Sequence, residues 1–417
     1  MNPIKKEAKH LISFLEKWTE SDIVYFFQGG AWLFSAQLAL VLTSLSLSVG
    51  FAHLAGKEVY GQFQFVLAIL GTLSVLAFPG ANAAVMLGTA QKKEGTLLQG
   101  ALFKLKRSVL GIIGIVAVAA YFYLKHEPNY AQVWPALLAT VIFFPIIYSL
   151  DVTQHFFVGK RKFSWGSLFQ LLTQGGSALA ALAALFFTKN LIVILIIYFA
   201  VQAIAIIIAF WFARKRMKNK YTDPEFISYS NHMTAINFIP TLRAYFDKLI
   251  VTYTLGFAST AVYSIAAAMS EQLFAISRNV GNIAFPKLAV QKEKKLYGEV
   301  KRRTGKLVIF FILIAGVAIL LAPYLIPFFF SDQYNSAIPI AQLLLLVGVP
   351  RAVGFILVKV QEAMRERKKL YTINLVFASV EILALLILVP LYGINGIIGA
   401  KAISNTTYVI MAWRSLR

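Results

Sequence analysis

Twelve long apolar runs alternate with short polar breaks along this chain. They lie near residues 23–50, 60–80, 108–124, 131–157, 164–187, 190–213, 232–256, 261–285, 307–330, 337–361, 370–389 and 393–413. A helix needs about 20 apolar residues to cross a bilayer, and each run is near or above that length. A barrel strand needs only about 9–11, so the runs predict helices. The breaks at 51–59, 188–189 and 257–260 are short enough to make those neighbours tight hairpins. Residues 1–22 differ from the rest. Ile4, Ala8, Leu11, Leu15 and Trp18 recur at helical spacing, with Lys5, Lys6, Lys9 and Lys17 off that stripe. This predicts a basic amphipathic helix lying on the cytoplasmic surface, and the segment lacks the apolar core of a signal peptide.

Composition agrees with an all-α integral membrane protein. The 417 residues are 59% hydrophobic and 14% charged, against about 45–50% and 25% in soluble domains. A charge of +22 on a soluble protein would point to nucleic acid. Here the charge follows the breaks instead. One alternating set (1–22, near 91–107, 160–162, 214–231, 287–306, 365–369 and the tail) holds 31 Lys and Arg with 10 acids. The other set holds Lys57, Lys125 and Lys189 against Glu58, Glu127 and Asp332. By the positive-inside rule the first set and both termini of this multi-pass membrane protein are cytoplasmic. The same charge attracts anionic membrane lipids, and no nucleic-acid partner is implied.

Catalytic chemistry finds no foothold. The chain has no cysteine, which excludes disulfides, thiolate metal sites and a cysteine nucleophile. Its five histidines are scattered, so no metal cluster is expected. Gly56-Lys57, Gly159-Lys160 and Gly305-Lys306 lack the rest of a phosphate-binding loop, and no zincin motif or nucleophile elbow is present. The pattern predicts a protein that is not an enzyme and needs no cofactor, driven by an ion gradient or the membrane potential.

The longest internal break, 214–231, divides the chain into an N-lobe (23–213) and a C-lobe (232–417) of six spans each. Val59-Tyr60-Gly61 after the first hairpin matches Val262-Tyr263-Ser264 after the hairpin of the second half. Ala77-Phe78-Pro79 matches Ala284-Phe285-Pro286. Such repeats are frequent in transporters that rock one half against the other.

Several of these landmarks resemble a known family. Leu54-Ala55-Gly56-Lys57-Glu58-Val59-Tyr60-Gly61-Gln62-Phe63 is similar to the opening hairpin of the polysaccharide repeat-unit flippases of the multidrug/oligosaccharidyl-lipid/polysaccharide exporter superfamily. Tyr245-Phe246-Asp247-Lys248 with Leu255-Gly256 resembles the start of that family's second half. Phe285-Pro286-Lys287-Leu288 and the closing stretch from Pro390 to Ala400 resemble its later landmarks. The resemblance spans essentially the whole chain. It implies two six-helix lobes around a central cavity, in a bacterial inner membrane, that flip an undecaprenyl-diphosphate-linked oligosaccharide, for O-antigen or a similar glycan, to the outer leaflet. H+ or Na+ and polysaccharide assembly proteins are the further partners it suggests. Lipid II flippases of the superfamily usually have fourteen spans and arginines in the first two, whereas the first arginine here is Arg107. The rivals are a cation-coupled multidrug exporter of the same superfamily and a membrane glycan polymerase or ligase. Arginines disfavour the first, and the lack of a large outer loop disfavours the second.

Charged residues within spans are costly and are the functional candidates. Arg243, Arg278 and Arg351 are expected about 10–16 Å deep in the cytoplasmic half, at one level, where bidentate guanidiniums suit a diphosphate. Gly348, Pro350 and Gly354 predict a bent helix around Arg351. Asp247, Glu271, Glu381 and Lys401 are the candidates for ion coupling or charge pairing, with Arg243–Asp247 on one helix face, Glu271 sharing a face with Arg278 seven residues on, and Glu381–Lys401 across neighbouring helices nearer the outer side. Asp151 (beside His155), Lys248 and Lys359 (beside Glu362) are secondary candidates for which local pairing is the stronger expectation. Gln28, Ser35, Gln37, Gln170 and Gln174 predict helix-to-helix hydrogen bonds in the first half, with sugar contact a lesser expectation for Gln170 and Gln174.

Overall fold

The computed structural model describes residues 23–289, 293–364 and 366–416, so the amphipathic segment 1–22 lies outside the described residues. The fold is all-α. α1 (Ile23–Gly50) passes through a π-helical turn (Phe51–Ala55) into α2 (Gly56–Leu73), which α3 (Gly80–Ala90) extends beyond a kink. α4 is Thr96–Lys125. The next crossing is assembled from α5 (Val133–Thr140), α6 (Phe143–Leu150) and α7 (Val152–Gly159), bent by 58° between its two parts. α8 (Phe163–Gln170) and α9 (Gly176–Leu185) form the fifth crossing and α10 (Leu191–Lys215) the sixth. The second half holds α11 (Phe226–Ala289), α12 (Glu293–Phe330), α13 (Ala337–Ala363), α14 (Arg367–Tyr392) and α15 (Ile394–Arg414).

Among the described residues, eight helical stretches are long and apolar enough to cross a bilayer, and the bent assembly is a ninth. Two of the eight fold back on themselves. Tyr263 Oη donates to Asp247 Oδ2 at 2.5 Å and Tyr60 Oη to Ser48 Oγ at 3.0 Å. In a continuous helix those partners would be about 24 and 18 Å apart. The reversals sit at Gly256 and Gly56, each with φ of +83°, a backbone region that glycine alone enters freely. Counting these hairpins as pairs, and α15 as the last crossing, gives the expected twelve.

The two hairpins interlock. A Cβ on Gly61 would lie 1.9 Å from the carbonyl oxygen of Phe257, so only glycine permits this approach. Phe65, Phe122, Tyr130 and Phe257 close around it with centroids 4.5–6.1 Å apart. One core joins both halves here, including Phe51, Phe63, Tyr263 and Tyr334. Toward the face that carries the basic loops the halves keep separate cores, around Phe156 and Phe157 in the first and Val353 and Tyr408 in the second. Two halves that share a core at one end and keep their own cores at the other leave space between them. Outward-facing side chains such as Phe187 (91% exposed) and Leu320 (72%) present the apolar belt that lipid would cover.

Three expectations change. The break at 214–231 is shorter than the pattern suggests, running from Arg216 to Glu225, and it is pinned to the 92–99 stretch. Glu94 Oε2 accepts from Lys160 Nζ at 2.9 Å and from the Lys218 backbone at 2.6 Å, and Lys93 pairs with Asp223 at 3.0 Å. Phe226 is fully buried in the first half's core, so α11 starts inside the N-terminal half. Secondly, Lys104 belongs to α4 rather than to a polar loop. It is 1% exposed, held by Asp151 at 2.5 Å and Asn82 at 2.9 Å, because a charge within a helix must find partners across helices. Thirdly, Ala77-Phe78-Pro79 does break its helix, with Phe78 at φ +56°, but the backbone stays helical through its counterpart 284–286.

Candidate functional site

A cavity of about 520 Å³ lies between the halves, walled by α1, α2, α10, α11, α13, α14 and α15. That is within the usual range for a ligand site, roughly 300–1,000 Å³. Its two walls differ in chemistry. The first half contributes hydroxyls and amides, among them Thr43, Ser44, Ser48, Gln64 and Gln174, and no charge. The second half contributes seven charged side chains, Arg243, Asp247, Lys248, Glu271, Arg351, Glu381 and Lys401. Four are cations and three are acids, so the wall carries one positive charge in excess.

Contacts across helices order these charges. Arg243 Nη1 donates to Glu381 Oε2 at 3.0 Å, and its guanidinium covers the Phe377 ring at 4.5 Å. Lys401 Nζ reaches Asp247 Oδ2 at 3.0 Å and Glu381 Oε1 at 3.2 Å, tying α15 to α11 and α14. Asp247 also accepts from Tyr263 and from the Lys248 backbone N–H at 2.8 Å. Arg351 Nη1 donates to Glu271 Oε1 at 2.6 Å and stacks over Phe274 at 3.9 Å. Lys248 stands apart. Its ammonium donates to Gln64 Oε1 at 2.7 Å, from a different half of the molecule.

Placed on the fold, the sequence-predicted residues divide. Arg243 and Arg351 share the cavity; Arg278 does not line it. Arg278 is exposed and sits one turn beyond Phe274, with its guanidinium 6.0 Å from that ring. The three arginines are therefore not brought together in the cavity. Nor do Glu381 and Lys401 form a separate outer layer, because contact with Arg243 and Asp247 puts all four in one mid-membrane cluster. The expected Glu381–Lys401 pair is present. The Arg243–Asp247 pair is replaced by Arg243–Glu381 and Asp247–Lys401, and Glu271 turns to Arg351 rather than toward Arg278. Asp151 pairs with Lys104 away from the cavity, and Lys359 with Glu362 at 2.6 Å near the end of α13. Around Pro350, backbone oxygens take side-chain donors from neighbouring helices, Ser277 on Ala352 O at 2.5 Å and Asn405 on Val347 O at 2.8 Å.

A sequence profile described as polysaccharide biosynthesis protein matches residues 26–273, more than half of the chain. The chain belongs to that family. No functionally curated sequence matches it. In solved structures the fold is similar to the lipid II flippase MurJ in an inward closed conformation, at 15% identity and a TM-score of 0.73, covering 92% of this chain and 87% of that one. It is also similar to an inward-facing multidrug resistance MATE family transporter of the MOP superfamily, at 12% identity and 0.67, covering 91% and 94%. A MOP superfamily transporter from Pyrococcus furiosus Vc1 matches at 13% and 0.62, covering 95% and 94%. At these identities the likeness establishes the shared fold.

Within this family member, sequence reasoning missed three participants. Gln64, Tyr60 and Tyr263 line the cavity and hold charged or hydroxyl partners there. Both tyrosines stand in the repeated tripeptides, so the duplication itself marked them. Each reaches back to the preceding helix of its hairpin, to Ser48 in one half and Asp247 in the other. Gln170 bonds Gln154 at 2.9 Å, the helix-knitting role expected, whereas Gln174 faces the cavity. The side chain of Gln28 lies outside the described residues.

Proposed function

We propose that this protein carries a diphosphate-linked lipid oligosaccharide from the cytoplasmic to the outer leaflet, with its basic face cytoplasmic and its two halves rocking about the cavity. The supporting observation is the cavity's asymmetry in a member of a polysaccharide biosynthesis family: a wall with excess positive charge faces a neutral wall of hydroxyls and amides. The first suits a diphosphate, the second suits sugar hydroxyls. Arg351 and Arg243 are the guanidiniums that meet the cargo anion. Arg278, farther along α11, meets it on entry.

Moving negative charge outward is favoured by the membrane potential, by about 2.3 kcal/mol per charge per 100 mV. If an ion is coupled, Glu271 is the strongest candidate, since its side chain is 53% exposed while Asp247 and Glu381 are committed to Lys401 and Arg243. Deletion of the gene in its host, with extraction of lipid-linked sugars, tests the proposal. Trapped single repeat units and lost surface glycan support it, for O-antigen or another surface polysaccharide according to the sugars recovered. Intact glycan with new sensitivity to cationic toxins transfers the protein to the drug exporters, and single units reaching the surface transfer it to the polymerases. Arg351→Ala should abolish flipping with the protein still folded.

A further inference from the structure

Six of the seven charged side chains on the cavity wall have an opposite charge within salt-bridge distance. Among the described residues, Lys248 has none. Its one polar partner is the Gln64 amide oxygen, so a buried ammonium with three donors is served by a single neutral acceptor. The excess positive charge of the cavity is therefore located on Lys248. An ammonium with no carboxylate in contact favours any anion that can reach it, and a charge-assisted hydrogen bond is roughly twice as strong as a neutral one.

The Gln64 partner is equally specific. Gln64 lies on α2, in the other half. Its Nε2 donates to Tyr60 Oη at 3.1 Å, and Tyr60 donates to Ser48. The run Lys248–Gln64–Tyr60–Ser48 thus ties the charged wall to the neutral wall across the cavity. Toward the hairpin tips the remaining seam is mainly apolar, the packing of Phe257 on Gly61, Phe65 and Tyr130, with one further polar contact between the halves, His53 Nε2 with the Phe329 carbonyl oxygen at 3.0 Å. An anion and Gln64 compete for the same N–H groups.

We propose that Lys248 and Gln64 form a cargo-sensitive latch. A diphosphate entering the cavity takes the Lys248 ammonium from Gln64, and the loss of that tie lets the halves separate at the seam. The proposal rests on the flippase reading and adds to it the residue pair through which binding and movement communicate. Linkage makes it quantitative: whatever the latch contributes to holding the halves together is subtracted from anion affinity, and removing the acceptor returns it.

The test uses the full chain in nanodiscs of zwitterionic lipid, with farnesyl diphosphate as probe and farnesol as its uncharged control. The chain has no cysteine, so spin labels go only at Lys162→Cys and Lys368→Cys, exposed positions in the two halves. Farnesyl diphosphate should bind and shift the label distance. Lys248→Met should weaken binding at least tenfold, Lys248→Arg should retain it, and Gln64→Leu should bind several-fold tighter. Gln64→Leu should also show the shifted distance with no ligand. Unchanged affinity and distance in Gln64→Leu, with tight binding in the parent, would overturn the latch and leave the flippase reading standing. Equal binding of farnesol and farnesyl diphosphate would overturn both. Phosphatidylglycerol should not compete; equal competition would give the site to bilayer lipid and sink the proposal.

Discussion

Lys401→Met and Lys248→Met remove the same charge from the same cavity, yet they should have opposite consequences. Lys401 lies between two carboxylates, 3.0 Å from Asp247 and 3.2 Å from Glu381, with side-chain exposures of 15%, 14% and 2%. Deleting one member of a buried pair leaves the other uncompensated and costs about 3–5 kcal/mol. Contact with the cavity and the remaining donors, Tyr263 on Asp247 and Arg243 on Glu381, place Lys401→Met at the lower end. Lys248→Met forfeits one hydrogen bond to a neutral amide, about 1 kcal/mol, and also removes a half-buried charge that touches no carboxylate, so the two effects nearly cancel. A gap of about 3 kcal/mol is a difference of roughly 100-fold or more in the folded ratio. Thermal unfolding in detergent, followed by the fluorescence of the six tryptophans, measures it. Lys401→Met should melt well below the parent and recover in part when combined with Asp247→Asn; Lys248→Met should melt near the parent while losing transport. Equal destabilisation by the two substitutions would refute the charge map from which both the anion site and the latch are argued.

Other substitutions probe the remaining joints. Gly61→Val would drive side-chain atoms into the Phe257 carbonyl, so it should cost about 1–3 kcal/mol or more and lower the yield of folded protein in detergent. Glu94→Ala removes the acceptor for Lys160 and the Lys218 backbone, and limited trypsinolysis should then cut faster between Arg214 and Lys220 with the melting point little changed. Lys104→Met leaves Asp151 with Asn82 alone. Because Asp151 is 32% exposed, the cost should be about 1–3 kcal/mol, and thermal melting of Lys104→Met against Lys104→Met with Asp151→Asn should show recovery in the pair.

The spans were legible in the sequence because a bilayer imposes the same demand on every crossing, about 20 residues of apolar surface, whatever it packs against. The hairpins were legible for a similar reason, since Gly56 and Gly256 sit in breaks too short for any other connection. Pairing was not legible. Spacing along one helix suggested Arg243 with Asp247 and Glu271 with Arg278, but in a bundle the nearest opposite charge is usually on another helix. Depth counted from the ends of apolar runs failed with it. The runs end where hydrophobicity ends and the helices continue: α4 begins at Thr96 rather than near 108, and α11 at Phe226 rather than 232. Those few turns moved Arg243 to the level of Glu381 and buried Lys104.

That failure bears on the cargo. Three arginines at one level would have made a preformed anion site, attractive to any phosphate and slow to release it. The structure instead commits two of its cavity cations, Arg243 and Arg351, to single carboxylates and shares Lys401 between two, which leaves Lys248 on a neutral amide. Beside the two guanidiniums, Lys248 adds a contact to the cargo that the protein itself can reclaim when Gln64 returns. Release is then as much a property of the wall as capture. A carrier that must let go on the far side needs a hydrogen bond it can trade, and Lys248 with Gln64 is where this cavity has one.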